Sequence, residues 1–343
     1  MGTHPPAGGD PARRIAQALL AHEGPLVLLA HVDPDGDALG SVLTLARALR
    51  RLGREVFAPM APPPRFLRFL VHDGDLTPAP MARPARALVV VLDGDPRRAD
   101  GLAPEPGSAS EARAADRDGA EPIRAPLVNV DHHASNPGYG IAWVDPSYAS
   151  ATLMVAEVVD ALGVGWDADL ATPCLAGLLT DTGHFRFGNT DRRALERAGR
   201  LIDAGVAYAE LADRLQWRHP DYYRMLAQVM ATVRFRLGGE VALVDLTQAM
   251  RDAIGDSEDD ADDFVGLLRY AEGARVAAIL KERGAAVKVS VRSRGGVSAR
   301  RVCQALGGGG HDAAAGATLE GATLAEAEER LLGEVALELA GLP

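Results

Sequence analysis

The chain has 343 residues, of which 47% are hydrophobic and 24% charged, as expected for a globular protein of roughly two domains. Its formal net charge of −11 argues against broad binding to long nucleic acid, which normally depends on a basic surface. No apolar run approaches the roughly 20 residues that span a bilayer, the start lacks a signal-peptide pattern, and Cys174 and Cys303 lie far apart. We therefore expect a cytoplasmic protein without a membrane segment, whose two thiols are packing residues.

Apolar runs and helical periodicity alternate through the first part of the chain. The predicted elements are helices over 11–22, from 38 onwards, and over 149–162, 170–179 and 191–204, with strands over 26–30, 55–58, 87–92 and 127–130. Because continuous Val and Leu runs that alternate with helices are typical of a parallel sheet covered on both faces, we predict an α/β domain over 11–205. Residues 99–126, rich in Gly, Pro, Ala and charge, predict a flexible insertion in that domain.

The pattern changes after residue 205. We predict a helical linker over residues 206–223 and a smaller α+β domain over residues 224–343. The predicted elements of this domain are strands over 225–237, 240–245, 275–281 and 286–292, and helices over 297–306 and 324–339. The strand over 286–292 alternates apolar and polar residues, which is typical of a half-exposed strand.

Acidic and imidazole side chains follow three of the predicted strands. His31, Asp35 and Asp37 follow the first strand, Asp93 follows the strand over 87–92, and Asp131-His132-His133 follows the strand over 127–130. Parallel sheets bind ligands beyond the carboxyl ends of their strands. Carboxylates and imidazoles together are typical ligands of divalent metal ions, so the sequence predicts a metal site at this edge.

Several of these residues also have a plainer explanation. Asp37 precedes an apolar helix and could be its N-cap, but a cap or turn does not explain His31 or Asp35, whose charge is costly near a buried strand end. Asp93 could be a turn residue, and Asp95 competes with it for the role of a ligand shared between two metal ions.

The two adjacent histidines are expected to have different roles. Successive side chains of an extended segment point to opposite sides, so one of His132 and His133 can bind metal while the other faces a substrate. Asp131 would then orient a histidine from behind. Asp181, which lies between two threonines, is either a further ligand or part of an Asx turn or helix cap.

A glycine run, Gly307–Gly310, precedes His311 in the second domain. Glycines allow backbone N–H groups to approach a phosphate closely, although a flexible linker is the plainer explanation. Arg292, at the end of the alternating strand, could contact the same ligand or be a surface charge.

These segments together resemble the DHH phosphoesterase superfamily. His31–Ser41 resembles its first motif, Asp93 its second, Asp131-His132-His133 its third and Asp181 its fourth, while Gly307–Gly316 resembles the substrate-binding DHHA1 domain. The resemblance implies an N-terminal parallel-sheet DHH domain, with helices on both faces, followed by a smaller α+β DHHA1 domain. The compact spacing of the second motif and the insertion after it depart from the family pattern.

Within the superfamily, the chain is most similar to the nanoRNA-degrading oligoribonucleases that also act as 3′-phosphoadenosine 5′-phosphate phosphatases. This resemblance implies that short RNA oligonucleotides are hydrolysed to nucleoside monophosphates and that nucleotide bisphosphates lose a phosphate. The alternatives are a RecJ-like single-strand exonuclease, a phosphodiesterase of the linear dinucleotides pApA and pGpG, and a nucleotide-binding protein without catalysis. A homodimer is expected by family analogy only.

The resemblance also implies two divalent metal ions, with Mn²⁺ preferred over Mg²⁺ or Co²⁺. One ion would be held by three residues: His31, Asp35 and Asp93. The other would share Asp93 and would be held by Asp37, Asp93, His132 and Asp181. The implied catalytic residues are His133, at the scissile phosphate, and Asp131. The implied substrate contacts are Arg292, Gly309, Gly310 and His311.

Overall fold

A computed structural model describes residues 10–103, 126–254 and 262–342 of the chain. Most of the predicted insertion, 104–125, lies outside the described residues. The chain divides into two compact units, Met1–Trp217 and Arg218–Pro343, and the division falls inside the predicted linker. None of the helices in the described ranges combines the length and the apolar character that crossing a bilayer requires.

The first unit is an α/β structure. Its strands are β1 (Leu26–Leu29), β2 (Val56–Phe57), β3 (Pro59–Met60), β4 (Thr77–Pro78), β5 (Leu88–Leu92), β6 (Leu127–Asp131) and β7 (Ile141–Val144). Its α-helices are α1 (Pro11–Ala21), α2 (Gly36–Arg51), α3 (Ala151–Leu162), α4 (Ala168–Asp181), α5 (Arg192–Asp203) and α6 (Tyr208–Gln216). Five strands form a parallel sheet in the order β2-β1-β5-β6-β7, so the predicted α/β class with a parallel sheet is confirmed.

The central strands of this sheet are buried on both faces. Every residue of β1, β5 and β6 is buried, which explains their continuous apolar sequences. One face packs against α1, α2 and α3, and the opposite face packs against side chains that include Ala99, Leu102 and Tyr139. Sequence reasoning missed the short strand β7, an edge strand of four apolar residues that is only partly buried.

Helices α2 and α4 approach each other closely because glycines lie in their contact. A Cβ atom on Gly36 would lie 2.3 Å from the hydroxyl oxygen of Thr180, and one on Gly40 would lie 2.5 Å from a backbone carbonyl oxygen of α4. Larger side chains at these positions would push the helices apart. The close approach brings the first turn of α2, with Asp37, next to the last turn of α4, with Asp181.

The second unit is an α+β structure. Its strands are β8 (Arg234–Arg236), β9 (Val241–Leu246), β10 (Val276–Arg283), β11 (Ala286–Ser293), β12 (Gly309–Gly310) and β13 (Ala314–Glu320). Its α-helices are α7 (Pro220–Met230), α8 (Gln248–Ile254), α9 (Asp262–Leu268), α10 (Ala299–Ala305) and α11 (Leu324–Ala340). The strands form one sheet in the order β12-β13-β11-β10-β9-β8.

The prediction of a strand over 225–237 is wrong for most of its length. Helix α7 covers its first part, and only Arg234–Arg236 is a strand. The buried residues of α7 are Tyr222, Met225 and Val229, whose spacing of three and four is helical. The apolar residues of this segment fit both the period of a strand and the period of a helix, and packing against β9 selects the helix.

Candidate metal centre

Three neighbouring strands bring the predicted residues to one edge of the parallel sheet. Because β1, β5 and β6 are adjacent and parallel, the segments that follow them meet at the same edge. Among the described residues, histidine nitrogens and carboxylate oxygens lie within 4.8 Å of one another in three groups: Asp93, His132 and His133; His31, Asp35 and Asp93; and Asp37, His132 and Asp181. All six predicted metal ligands therefore lie in one cluster, together with His133.

Asp93 lies at the centre of this cluster. Its side chain is 1% exposed, and its φ of +53° places the backbone in the left-handed region, which is unusual for a residue other than glycine. Its Oδ1 has no hydrogen-bond partner, although His132 Nε2 lies 3.5 Å away and His133 Nδ1 3.6 Å away. Its Oδ2 lies 3.7 Å from His31 Nε2. A buried carboxylate oxygen without a partner is costly, and these separations suit ligand atoms that share a cation.

Asp95 is engaged elsewhere. Its Oδ1 accepts hydrogen bonds from the backbone N–H of Arg97 at 2.8 Å and from its Nε at 3.0 Å, and the guanidinium also contacts Oδ2. Partial burial acts to raise the pKa of Asp95, but the hydrogen bonds from Arg97 outweigh it and lower the pKa. Asp93, rather than Asp95, therefore presents its carboxylate to the histidines.

The two aspartates of the first motif accept hydrogen bonds from the first turns of different helices. Asp35 is the N-cap of α2, and its Oδ1 accepts hydrogen bonds from two backbone N–H groups, each at 3.0 Å. The alternative that Asp37 caps α2 is therefore wrong. Asp37 accepts hydrogen bonds from the first turn of α3, from Ala151 N at 2.6 Å and Thr152 N at 2.9 Å. These bonds hold Asp37 Oδ2 at 3.7 Å from His132 Nε2.

Asp181 is the last residue of α4, two residues beyond the predicted end of that helix. Its Oδ2 lies 3.3 Å from His132 Nε2. Burial, and then the charge of Asp37, raise the pKa of Asp181 well above its ordinary value. A carboxylate at a helix C-terminus also faces the negative end of the helix dipole, so this position is electrostatically unfavourable without a cation.

The two ring nitrogens of His132 have separate partners. Nδ1 lies 3.3 Å from the carbonyl oxygen of Tyr148, and since a carbonyl only accepts, Nδ1–H is the donor. Nε2 then faces the carboxylates of Asp37, Asp93 and Asp181. This arrangement is typical of a histidine metal ligand, whose other nitrogen is hydrogen-bonded to fix the ring.

His133 points in a different direction and is held by Asp131. Its Nδ1 donates to Asp131 Oδ1 at 2.7 Å, and its backbone N–H donates to the same oxygen at 3.1 Å. Asp131 is fully buried at the end of β6. These two hydrogen bonds fix the direction of the His133 ring.

Burial and neighbouring charges shift the pKa values of residues in the cluster. Burial, and then the charge of Asp93, raise the pKa of Asp37 to about 7. Burial acts to lower the pKa of His132, but interactions with Asp93, Asp37 and Asp181 outweigh it and raise the pKa to about 10. A cation bound here would displace these protons, so its affinity would rise with pH.

The predicted substrate contacts of the second unit lie at one end of its sheet. In the antiparallel register, Gly309 pairs with Gly316 and Gly310 with Ala315. His311 and Ala314 exchange backbone hydrogen bonds of 2.7 and 3.2 Å, which closes a tight turn. Arg292 of β11 pairs with Ala314 of β13, so the arginine lies beside this turn.

Sequence reasoning missed the amides that surround the centre. Asn129 and Asn136 are both buried and hydrogen-bond to the segments that carry Asp93 and Asp131. The available signal was Asn129 itself, a polar residue within the otherwise apolar run Leu127–Val130. A buried amide requires partners, and its position in a central strand indicates that those partners belong to the strand ends.

Comparison with known proteins agrees with this architecture. Residues 246–340 match the model of the DHHA1 domain family. The fold is similar to an exopolyphosphatase-related protein from Bacteroides fragilis, with a TM-score of 0.78, 19% identity and coverage of 96% of this chain and 97% of that one. It is also similar to RecJ from Thermus thermophilus, solved in complex with Mn²⁺, with a TM-score of 0.55, 16% identity and coverage of 95% and 55%.

A DHHA1 domain that follows a parallel-sheet unit carrying the DHH motifs places the chain in the DHH/DHHA1 phosphoesterase superfamily. The chain is 46% identical to the bifunctional oligoribonuclease and PAP phosphatase NrnA of Thermus thermophilus, over 95% of this chain and 94% of the relative. The chain belongs to the NrnA family.

Proposed function

We propose that this chain is a metal-dependent phosphoesterase that hydrolyses very short oligoribonucleotides to nucleoside monophosphates and dephosphorylates 3′-phosphoadenosine 5′-phosphate. The observation that carries the proposal is the Asp93 carboxylate, buried without a hydrogen bond to Oδ1 and surrounded by three histidines. The similarity to a bifunctional oligoribonuclease and PAP phosphatase supports the choice of substrates.

We propose that the centre holds two divalent cations. We assign one ion to His31, Asp35 and Asp93. We assign the other to Asp37, Asp93, His132 and Asp181. Carboxylate and imidazole donors suit Mn²⁺, with Mg²⁺ and Co²⁺ as alternatives. When bound, such a pair of ions would supply an activated water and would offset the negative charge of the phosphoryl oxygens.

The protein residues then position the substrate. His133, whose Nδ1–H is held by Asp131, presents the other side of its ring, and we assign it to the scissile phosphate. In the second unit, we assign Arg292, His311 and the backbone of Gly309 and Gly310 to substrate binding. Because recognition is confined to a few phosphates, a net charge of −11 does not prevent binding of short RNA.

The glycines of β12 offer a direct test of the second-unit site. Nothing lies within 4 Å of a Cβ atom built on Gly309, whereas one on Gly310, at φ 137°, would lie 2.6 Å from the Ala315 Cα. Gly309→Val is therefore expected to leave the fold intact and to raise KM for a dinucleotide about tenfold, since it blocks backbone contact with the ligand. Gly310→Val is the matched variant, expected to lower Tm. An unchanged KM in a folded Gly309→Val protein would contradict the assignment.

Substrate length tests the function as a whole. With Mn²⁺ present, we expect kcat/KM to be at least about tenfold higher for a diribonucleotide than for a single strand of about twenty nucleotides, together with phosphate release from 3′-phosphoadenosine 5′-phosphate. A preference for the long strand would indicate a RecJ-like exonuclease instead. Binding of nucleotides without turnover would indicate a non-catalytic protein. Homodimerisation remains a prediction from family analogy.

A further inference from the structure

A chain of buried amides connects the segment of Asp93 to the segment of His133. Asn136, which is 6% exposed, lies in the turn after β6. Its Nδ2 lies 3.1 Å from the Gly94 carbonyl oxygen, 2.9 Å from Asn129 Oδ1 and 2.7 Å from Asp131 Oδ2. Its Oδ1 accepts from the backbone N–H of Gly138 at 2.9 Å, which fixes the orientation of the amide.

One arm of this network holds the backbone on both sides of Asp93. Asn129 Nδ2 donates to the carbonyl oxygens of Val91, at 3.3 Å, and Gly94, at 3.0 Å. The Gly94 carbonyl thus accepts hydrogen bonds from both amides. Because the left-handed conformation of Asp93 is unfavourable for a residue with a Cβ atom, it persists only where its surroundings enforce it. The surroundings of Asp93 include these two amides and the Val130 carbonyl oxygen, which accepts from the Asp93 backbone N–H at 3.0 Å.

The other arm holds the ring of His133. Asp131 uses Oδ1 to accept from His133 and Oδ2 to accept from Asn136. With both oxygens engaged, the plane of the Asp131 carboxylate is fixed, and so is the direction of the His133 ring. Asn136 is the residue that contacts both arms.

We propose that Asn136 is a positioning residue that sets, through one side-chain amide, both the backbone conformation of Asp93 and the orientation of His133. The kinetic part of this inference rests on the proposed function. The metal-binding part does not, because Mn²⁺ affinity is measured without substrate. The Asn136 amide bonds to the segment that carries Asp93 and to Asp131, the partner of His133. Its loss should therefore weaken cation binding and lower turnover.

The test compares Asn136→Ala, Asn136→Ser and Ser135→Ala. Ser135 is an exposed residue of the same turn and serves as the matched control. At a temperature well below Tm, titration calorimetry with Mn²⁺ alone should show affinity reduced about 10- to 100-fold for Asn136→Ala, less for Asn136→Ser, which keeps one donor, and unchanged for Ser135→Ala. With 3′-phosphoadenosine 5′-phosphate, kcat should fall in the same order while KM stays within about threefold.

The outcomes separate this inference from the proposed function. Normal Mn²⁺ affinity and normal kcat in folded Asn136 variants, with only Tm lowered, would show a purely structural role and overturn the inference while leaving the function intact. Weakened Mn²⁺ binding in the variants of a protein that hydrolyses neither substrate would support the inference and refute the function. If Asn136→Ala does not fold, Asn136→Ser alone, measured against Ser135→Ala, decides.

Discussion

Asp93→Asn is expected to lower kcat for a diribonucleotide and for 3′-phosphoadenosine 5′-phosphate by at least about a thousandfold while the protein remains folded. The amide keeps the size of the carboxylate but removes the negative charge that both proposed cations share. It also turns one of the two oxygens that face His31, His132 and His133 into a donor nitrogen, which cannot bind a cation. Binding of Mn²⁺ should therefore weaken together with activity.

Asp95→Asn is the matched control, because Asp95 lies two residues away in the same segment but is bound to Arg97. We expect this variant to keep kcat within about threefold of the unaltered protein. The measurements are steady-state kinetics with Mn²⁺, calorimetric titration of Mn²⁺ and circular dichroism to verify folding. Loss of activity in Asp95→Asn with activity retained in Asp93→Asn would assign the shared ligand to Asp95 and contradict the proposed centre.

Arg47→Met is expected to lower the free energy of unfolding by about 3 kcal/mol, because it removes the guanidinium that contacts both oxygens of the buried Asp75 carboxylate. Asp75 then keeps the weaker support of the His72 backbone N–H, at 2.7 Å, and of the Arg50 guanidinium, at 3.7 Å. Arg47 and Asp75 are each 6% exposed, and the guanidinium contacts both carboxylate oxygens, at 3.2 and 2.5 Å. Arg47 also donates to the carbonyl oxygen of Asp169 at 2.7 Å. That carbonyl lies four residues before Pro173, which has no N–H to complete the helix, so Arg47 supplies the missing donor.

Arg51→Met, on the same helix, is the control for this prediction. Arg51 pairs with Asp167 at 2.9 Å and Asp169 at 2.7 Å, but these side chains are largely exposed to solvent. Exposed ion pairs contribute about 1 kcal/mol or less, so this variant should unfold near the midpoint of the unaltered protein. Urea denaturation of both variants without metal measures the difference. Equal losses of stability would show that burial does not make the Arg47 contacts stronger than those of the exposed Arg51.

The site residues differ in how far the sequence could predict them. His31, Asp93 and His132 follow strands whose apolar runs are unmistakable, so their meeting at one sheet edge follows from the parallel order alone. The place of Asp181 does not follow in this way, because it depends on the close contact of α2 with α4. Residues whose partners are distant in sequence carry little local signal, as Asn136 illustrates.

Local pattern also failed where two periods fit the same residues. The segment that forms α7 contains apolar residues that suit a strand or a helix, and only packing against β9 distinguishes them. The capping of α2 was also misjudged, since sequence reasoning considered a cap for Asp37 and not for Asp35, whereas Asp35 is the N-cap. The choice depends on α3, far later in the chain, whose N–H groups bind Asp37.

The sequence by itself determined the α/β class of the first unit, the family resemblance and the edge at which histidines and aspartates gather. It could do so because buried parallel strands and strand-end ligands are properties of consecutive residues. The tertiary structure decided that Asp93 rather than Asp95 faces the histidines, that Asp37 accepts hydrogen bonds from the first turn of a distant helix, and that buried amides join the two segments. Each of these depends on which hydrogen-bond donors folding brings to a carboxylate, and those donors include residues that are not its neighbours in the chain.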